Sequence, residues 1–319
     1  MPRRFISISV FTCALVFIAQ PARAQDHARR IKRVKRGHRS GQADKDRYRI
    51  VLPPGFSVEN RLTPVVYALH GYSGNMDSME HVWKAACAEV GAVLVVGQGT
   101  KSLGPGSYSW SGFEDAGKMI DAARVELRKR HKLHRFAPRV LTGMSQGAWA
   151  TYSLGMRYPK TYRRLIPVVG MFRARSYETA QPLTDTEKTV MKRWKVYMMV
   201  GVQDKQELVA NNRWLANQLE RLGASIKAPF VDRTDPSWSL YQDIGHAFPG
   251  GAAKDRTAEL VRALKFVLQP DEIDRRNWGR VDPDWRKKAT WLDEDRMAGK
   301  AKDHKSKRSK RRRDQRHGD

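Results

Sequence analysis

Cysteine is nearly absent from this chain of 319 residues, which holds only Cys13 and Cys87. Cys13 lies inside an uncharged N-terminal run. The one cysteine beyond that run cannot close an internal disulfide, so the fold must rely on core burial. Cys87 falls in a helix-like stretch and reads as a buried packing residue. Long apolar runs are lacking too: Phe5–Ala19 carries no charge but is short of the roughly 20 residues a bilayer-spanning helix needs. No His, Cys, Asp or Glu cluster has metal-ligand spacing, no glycine loop is of the phosphate-cradling type, and no internal repeat is present. Neither metal nor cofactor is therefore expected. Acidic residues are scarce, 33 Asp and Glu against 60 Lys and Arg, for a net charge of +27, while a hydrophobic fraction of 40% suffices for an ordinary core.

Where the positive charge sits decides what it implies. Residues 26–49 hold ten Lys/Arg and three Asp, and residues 299–319 hold ten Lys/Arg and three Asp again, so each segment carries a net charge of +7. About half of the whole excess thus lies in flanks with too few apolar residues to offset the entropy of ordering. Segments 26–46 and 299–319 are expected to be disordered. They are either adhesive toward polyanions such as nucleic acid, acidic cell-wall polymer or anionic lipid, or simply solvated. Apart from Tyr48 they contain no aromatic residue for base stacking. With no zinc-finger spacing or RRM-type signature, sequence-specific nucleic-acid recognition is not expected. At the start of the chain, Arg3 and Arg4, the uncharged run and then Ala22-Arg23-Ala24 have the layout of a signal peptide over residues 1–25. That layout predicts a secreted or periplasmic protein with no integral membrane segment after cleavage; an uncleaved anchor is the alternative.

The middle of the chain alternates strand and helix. Candidate strands are Tyr48–Leu52, Val65–Leu69, Val93–Val96, Arg139–Gly143, Leu165–Val169, Val196–Val200 and Ile226–Val231. Most are short apolar runs, as expected for strands covered on both faces. Candidate helices are Met79–Val90, Ala116–Lys132, Gln146–Arg157, Glu207–Leu222 and Lys254–Leu268. Such repetition predicts an α/β fold, a mostly parallel central sheet flanked by helices, over residues 47–268. Its chemistry should sit at the carboxyl ends of the strands. Residues 269–298, with Trp278, Trp285 and Trp291, read as an extension wrapping the domain.

The sharpest motif is Gly143-Met144-Ser145-Gln146-Gly147, placed between a strand and the start of a helix. Small residues on either side of Ser145 permit the tight turn that exposes a nucleophilic serine. The helix N-terminus supplies donors and positive potential. His70-Gly71-Tyr72-Ser73-Gly74 follows the strand Val65–Leu69. Its position suits an oxyanion hole built from the backbone N–H groups of Tyr72 and Gln146. His70 itself reads as a hydrogen-bonding brace of that loop. Of nine histidines, His246 follows the last strand and precedes the last helix of the domain, where a base belongs. Its deprotonation predicts activity rising at about pH 6–7.5. Asp204 follows Val196–Val200 and suits the orienting acid. Glu207 and Asp232 stand as alternatives, and Asp204-x-x-Glu207 also fits a helix cap.

The order Ser145, Asp204, His246 is that of the α/β-hydrolase superfamily. The segments Leu52–Phe56, Leu69–Gly71, Leu141–Gly147 and Gly245–Pro249 resemble phospholipase/carboxylesterase and polyhydroxybutyrate-depolymerase-like esterases. The resemblance covers residues 47–268. It implies metal-independent hydrolysis of carboxylic esters through an acyl-enzyme. The aromatic loop Tyr108–Phe113 and the basic flanks depart from the family pattern and leave the substrate open. Trp110, Phe113, Met171 and Phe172 are candidate lining for an acyl or aromatic pocket, with core packing the competing assignment for each. Residues 170–195 are too few for a large lid, which favours small acyl esters or acylated polymers. A serine peptidase of the same fold, and a non-catalytic polyanion-binding protein on a hydrolase scaffold, are the competing functions.

Overall fold

The computed structural model of the chain describes residues 47–170, 185–249 and 253–292. The expected signal peptide, segments 26–46 and 299–319, Met171 and Phe172 lie outside the described residues. Seven strands form one sheet: β1 (Tyr48–Val51), β2 (Val65–Leu69), β3 (Val93–Gly97), β6 (Arg139–Met144), β7 (Arg164–Val168), β8 (Lys195–Tyr197) and β9 (Ser225–Lys227), in the order β1-β3-β2-β6-β7-β8-β9. Only β1 runs antiparallel, against β3; every other pair is parallel. The helices between them are α1 (Met76–Glu89), α2 (Phe113–Arg130), α3 (Gln146–Arg157), α4 (Asp185–Met191), α5 (Gln206–Arg221) and α6 (Ala253–Leu268). This is the mostly parallel, helix-flanked α/β architecture that the apolar runs predict. Strands β2, β3 and β7 are buried at every position, which requires cover on both faces.

Several boundaries differ from the expected ones, for local reasons. The last strand stops at Lys227, because Ala228-Pro229 follows: proline has no N–H to give the ladder, and Val231 N–H instead closes a turn on Ala228. Helix α2 ends before Lys132, which adopts a left-handed φ of 56°, so His134 lies in a connection and not in a helix. A second sheet is an unanticipated hairpin, β4 (Lys101–Gly104) and β5 (Ser107–Ser109). Its turn uses Gly104 and Gly106, both at positive φ, a conformation glycine adopts without steric cost.

The C-terminal segment is fastened to the domain by helices α7 (Glu272–Val281) and α8 (Trp285–Lys288). Trp278 is 1% exposed, donates its indole N–H to Phe136 O at 2.9 Å, and meets Trp285 and Trp291 edge-on. Burying rings of this size stabilises by about 1.5–3 kcal/mol each. At the start of α7, Asp271 and Asp274 form a mutual capping box. The same carboxylates accept from Arg163, Arg164 and Arg193, with Arg164 and Asp274 2.5 Å apart and both buried. Against the effect of its burial, Arg193, the Asp274 backbone N–H and Arg163 hold the Asp271 carboxyl down at about 2.

Candidate active site

Ser145 stands between the end of β6 and the first residue of α3, with φ 53°, a region costly for a residue with a Cβ. The two flanking glycines explain how the turn closes. A Cβ on Gly143 would lie 2.4 Å from Gly147 C and O, and one on Gly147 would lie 2.2 Å from Leu69 O. The backbones of β6, α3 and β2 are therefore closer here than any other residue type allows. Ser145 N–H donates to Val168 O at 2.9 Å, which ties the turn to the end of β7. Among the described residues no acceptor takes the backbone N–H of Gln146, one of the orphan donors of the helix start.

The His70–Gly74 loop lies alongside. A Cβ on Gly71 would be 3.4 Å from Ser145 Cβ, so the loop backbone runs against the serine. His70 is fully buried: Nδ1 donates to Gly71 O at 2.7 Å, and Nε2 accepts from Gly99 N–H at 3.0 Å. Both ring nitrogens are engaged inside the protein, and burial lowers its pKa, so the ring braces the loop as a neutral imidazole. Trp110 stacks on that ring and donates its indole N–H to His70 O at 2.8 Å. With 3% of its surface exposed, Trp110 belongs to the packing beneath the loop; it does not face an open pocket wall. The Gln146 side chain clamps the same stretch, accepting from Ser109 Oγ and Trp110 N and donating to Trp110 O. Phe113 opens α2 and packs edge-on against Trp149, one turn after Ser145. Trp149 went unnoticed in the sequence, although its i+4 spacing from Ser145 puts it on the same side of the helix.

Asp204 and His246 meet. His246 Nδ1 lies 2.8 Å from Asp204 Oδ2, and the Asp204 side chain is 3% exposed. The other carboxylate oxygen accepts from Lys205 N–H at 2.7 Å. Helix α5 begins at Gln206 with no side-chain cap, so Asp204 does not serve as its cap. Glu207 is exposed, and Asp232 bonds to Thr234; neither contacts the imidazole. The His246 loop is seated by backbone hydrogen bonds, Val202 N–H to Tyr241 O and Gln203 N–H to Ile244 O. Gly201 makes this seating possible, since a Cβ there would fall 2.1 Å from Ile244 O. Phe248 then anchors edge-on against Trp83 of α1. No hydrogen bond joins Ser145 to His246. Ser145 follows β6, and the His246 loop is seated on the segment after β8, with β7 between; Ser145 N–H to Val168 O and Val169 N–H to Met199 O connect the two sides.

No protein-family model matches the sequence, and no curated protein matches it. Solved structures do resemble it at low identity. An uncharacterised protein from Bacillus cereus is 14% identical with a TM-score of 0.49, over 65% of this chain and 60% of its own. A carboxylesterase from Mesorhizobium loti is 18% identical with a TM-score of 0.45, over 67% of this chain and 92% of its own. A fluorophosphonate-binding serine hydrolase from Staphylococcus aureus is 14% identical with a TM-score of 0.46, over 70% and 92%. The chain spans three fifths of the first protein and nearly all of the other two. Likeness at this level says nothing about the reaction. The chain's own strand order gives a mostly parallel sheet flanked by helices, with the serine turn at the carboxyl end of β6.

Proposed function

We propose that the protein is a serine hydrolase that cleaves carboxylic esters through an acyl-enzyme. The observation that carries this reading is Ser145 held at φ 53° between two glycines that have no room for a side chain. Such strain persists only where the surroundings over-determine it, and its product here is a serine hydroxyl at a strand's carboxyl end above a helix N-terminus. Ser145 Oγ attacks the ester carbonyl and gives its proton to His246 Nε2. Asp204 accepts from Nδ1, fixes the tautomer and stabilises the imidazolium. The oxyanion is received by the backbone N–H groups of Gln146 and Tyr72. His246 then protonates the departing alcohol, and water, activated by the same imidazole, releases the acid.

The His246 side chain is 40% exposed, which favours short acyl groups or esters carried on a polymer over buried long-chain lipid. The leader-like N-terminus supports export to the periplasm or beyond, and the basic flanks support retention at an anionic surface. The reading is tested with p-nitrophenyl esters from acetate to dodecanoate, comparing wild type with Ser145→Ala. Hydrolysis peaking at short chains and falling at least about a thousandfold in the variant supports it. Equal rates in both proteins would sink it, and a preference for dodecanoate would remove the short-acyl assignment.

A further inference from the structure

The opposite end of the same strands carries a second concavity. β2 and β6 run from Val65 and Arg139 toward the serine turn. Six residues at about 3.3 Å each put Arg139 about 20 Å from Ser145. At this far end the loop at Val58–Arg61, the C-terminal part of α2 and the connection to β6 border an open cleft of about 560 Å³. Its lining includes the exposed cations Arg61, Arg128, Lys132 and Arg135 and the half-buried His134. Behind it a cavity of about 20 Å³, lined by Tyr67, Arg124 and Arg139 among others, has room for a single small atom group. No Asp or Glu lines either part.

The charges gathered there are poorly compensated. Arg124 has Asp121 at 2.6 Å, and Arg139 donates to Arg135 O. Arg61, Arg128, Lys132 and Arg135 form no ion pair with any carboxylate among the described residues. The neighbouring pairs Arg130–Glu126 and Arg124–Asp121 show that α2 places acids freely elsewhere along its surface. Tyr67 is 1% exposed, and its hydroxyl has no hydrogen-bond partner among the described residues. Tyr67 lines the inner cavity, where its hydroxyl keeps contact with solvent. Arg61, Arg128, Lys132 and Arg135 are exposed and screened by water, while Arg124 and Arg139 are half-buried behind them. An oxyanion is the ligand type that can accept from the tyrosine and pair with the guanidinium groups at once. The His134 ring feels the same field, its pKa lowered by burial first and then by Arg61 and Arg135.

We propose that this cleft binds tandem phosphoryl groups, one oxygen entering the inner cavity toward Tyr67 while the following groups lie along Arg128, Arg135, Arg61 and Lys132. Four exposed cations around a cleft of about 560 Å³, with Arg124 and Arg139 behind, are more than a single phosphate engages. The site is separate from the ester chemistry and stands whether or not Ser145 is a nucleophile.

The test is calorimetric binding of tripolyphosphate and of orthophosphate to the full chain at low ionic strength, where screening is weakest. The proteins compared are wild type, Arg128→Glu/Arg135→Glu, the milder Arg128→Gln/Arg135→Gln, and Lys305→Glu/Arg308→Glu. The last makes the same charge change within the basic segment 299–319. Wild type is expected to bind tripolyphosphate at least about tenfold tighter than orthophosphate, and the cleft reversal to weaken it by at least about tenfold. The glutamine pair should fall between them, and the Lys305/Arg308 pair should stay near wild type. Thermal melts confirm folding of each variant. Equal losses in the cleft and Lys305/Arg308 variants would overturn the site, as would undetectable binding to wild type. Equal affinity for the two anions would overturn the tandem assignment.

Discussion

Gly201→Ala isolates the positioning of His246 from every other feature of the site. Gly201 follows β8, and a Cβ there would lie 2.1 Å from Ile244 O and 2.3 Å from Gly245 O. Ordinary contact begins near 3.4 Å, so the backbone carrying His246 would have to move back by about 1.3 Å, the difference between the two distances. That displacement breaks the fit of Gln203 N–H to Ile244 O and stretches the 2.8 Å bond between His246 and Asp204. A misplacement of about 1 Å costs about a hundredfold in rate. Overpacking of this kind costs about 1–3 kcal/mol in stability. We therefore expect kcat on p-nitrophenyl acetate to fall about a hundredfold while KM stays within about threefold, because Ser145 and its loop are untouched. The companion is Gly245→Ala, next to His246 in sequence, whose Cβ would meet nothing closer than Gln203 O at 3.7 Å. It should keep nearly full activity. Steady-state kinetics on both variants, with urea unfolding alongside, decides the matter. If Gly201→Ala keeps kcat, or if both alanines lose it equally, the seating of the histidine loop by Gly201 is refuted.

Other outcomes follow from named contacts. Asp204→Asn should leave the fold intact and lower kcat by up to about 10⁴-fold through the wrong imidazole tautomer; a loss below about tenfold would move the orienting role elsewhere. The Asp271 carboxyl, held at about 2 in the fold, contributes stability that is present above its unfolded value near 3.8 and lost as pH falls through about 2. That amounts to about 2 kcal/mol. Urea midpoints measured downward from neutral pH should show it, and Asp271→Asn should remove that part of the slope. Gly279→Ala, in α7 with nothing within 4 Å of its Cβ, should stabilise the protein by about 0.5–1 kcal/mol in the same assay. Cys87 is buried and its thiol is pushed well above the ordinary range, so a thiol reagent should label it only in denaturant; rapid native labelling would contradict its placement.

The core of the fold was legible because its signals are local. The fully buried strands β2 and β3 are short apolar runs, and α3 begins at Gln146 and ends at Arg157 as the sequence predicts. The serine turn announces itself because two close backbone approaches each demand glycine. Gly201 performs a similar service for His246 yet gave no signal, since its partners, Ile244 and Gly245, lie more than forty residues away. Trp110 illustrates the opposite failure. Its place in an aromatic loop suggested a pocket wall, but its ring stacks on His70 and its N–H is spent on the His70 carbonyl. Long-range pairing of that kind is invisible to composition. The cationic cleft was hidden for the same reason, because Arg61 meets the loop after α2 only in space, His134 N–H donating to Arg61 O across more than seventy residues.

The most direct test of the central claim is the mass of Ser145 itself after reaction. Acid quenching of wild type during rapid turnover of p-nitrophenyl acetate, followed by peptide mass analysis, should find one acetyl group on the peptide containing Ser145 and none in Ser145→Ala. Normal turnover with no acyl group on Ser145, or an acetyl group carried stoichiometrically on another residue, would contradict the account.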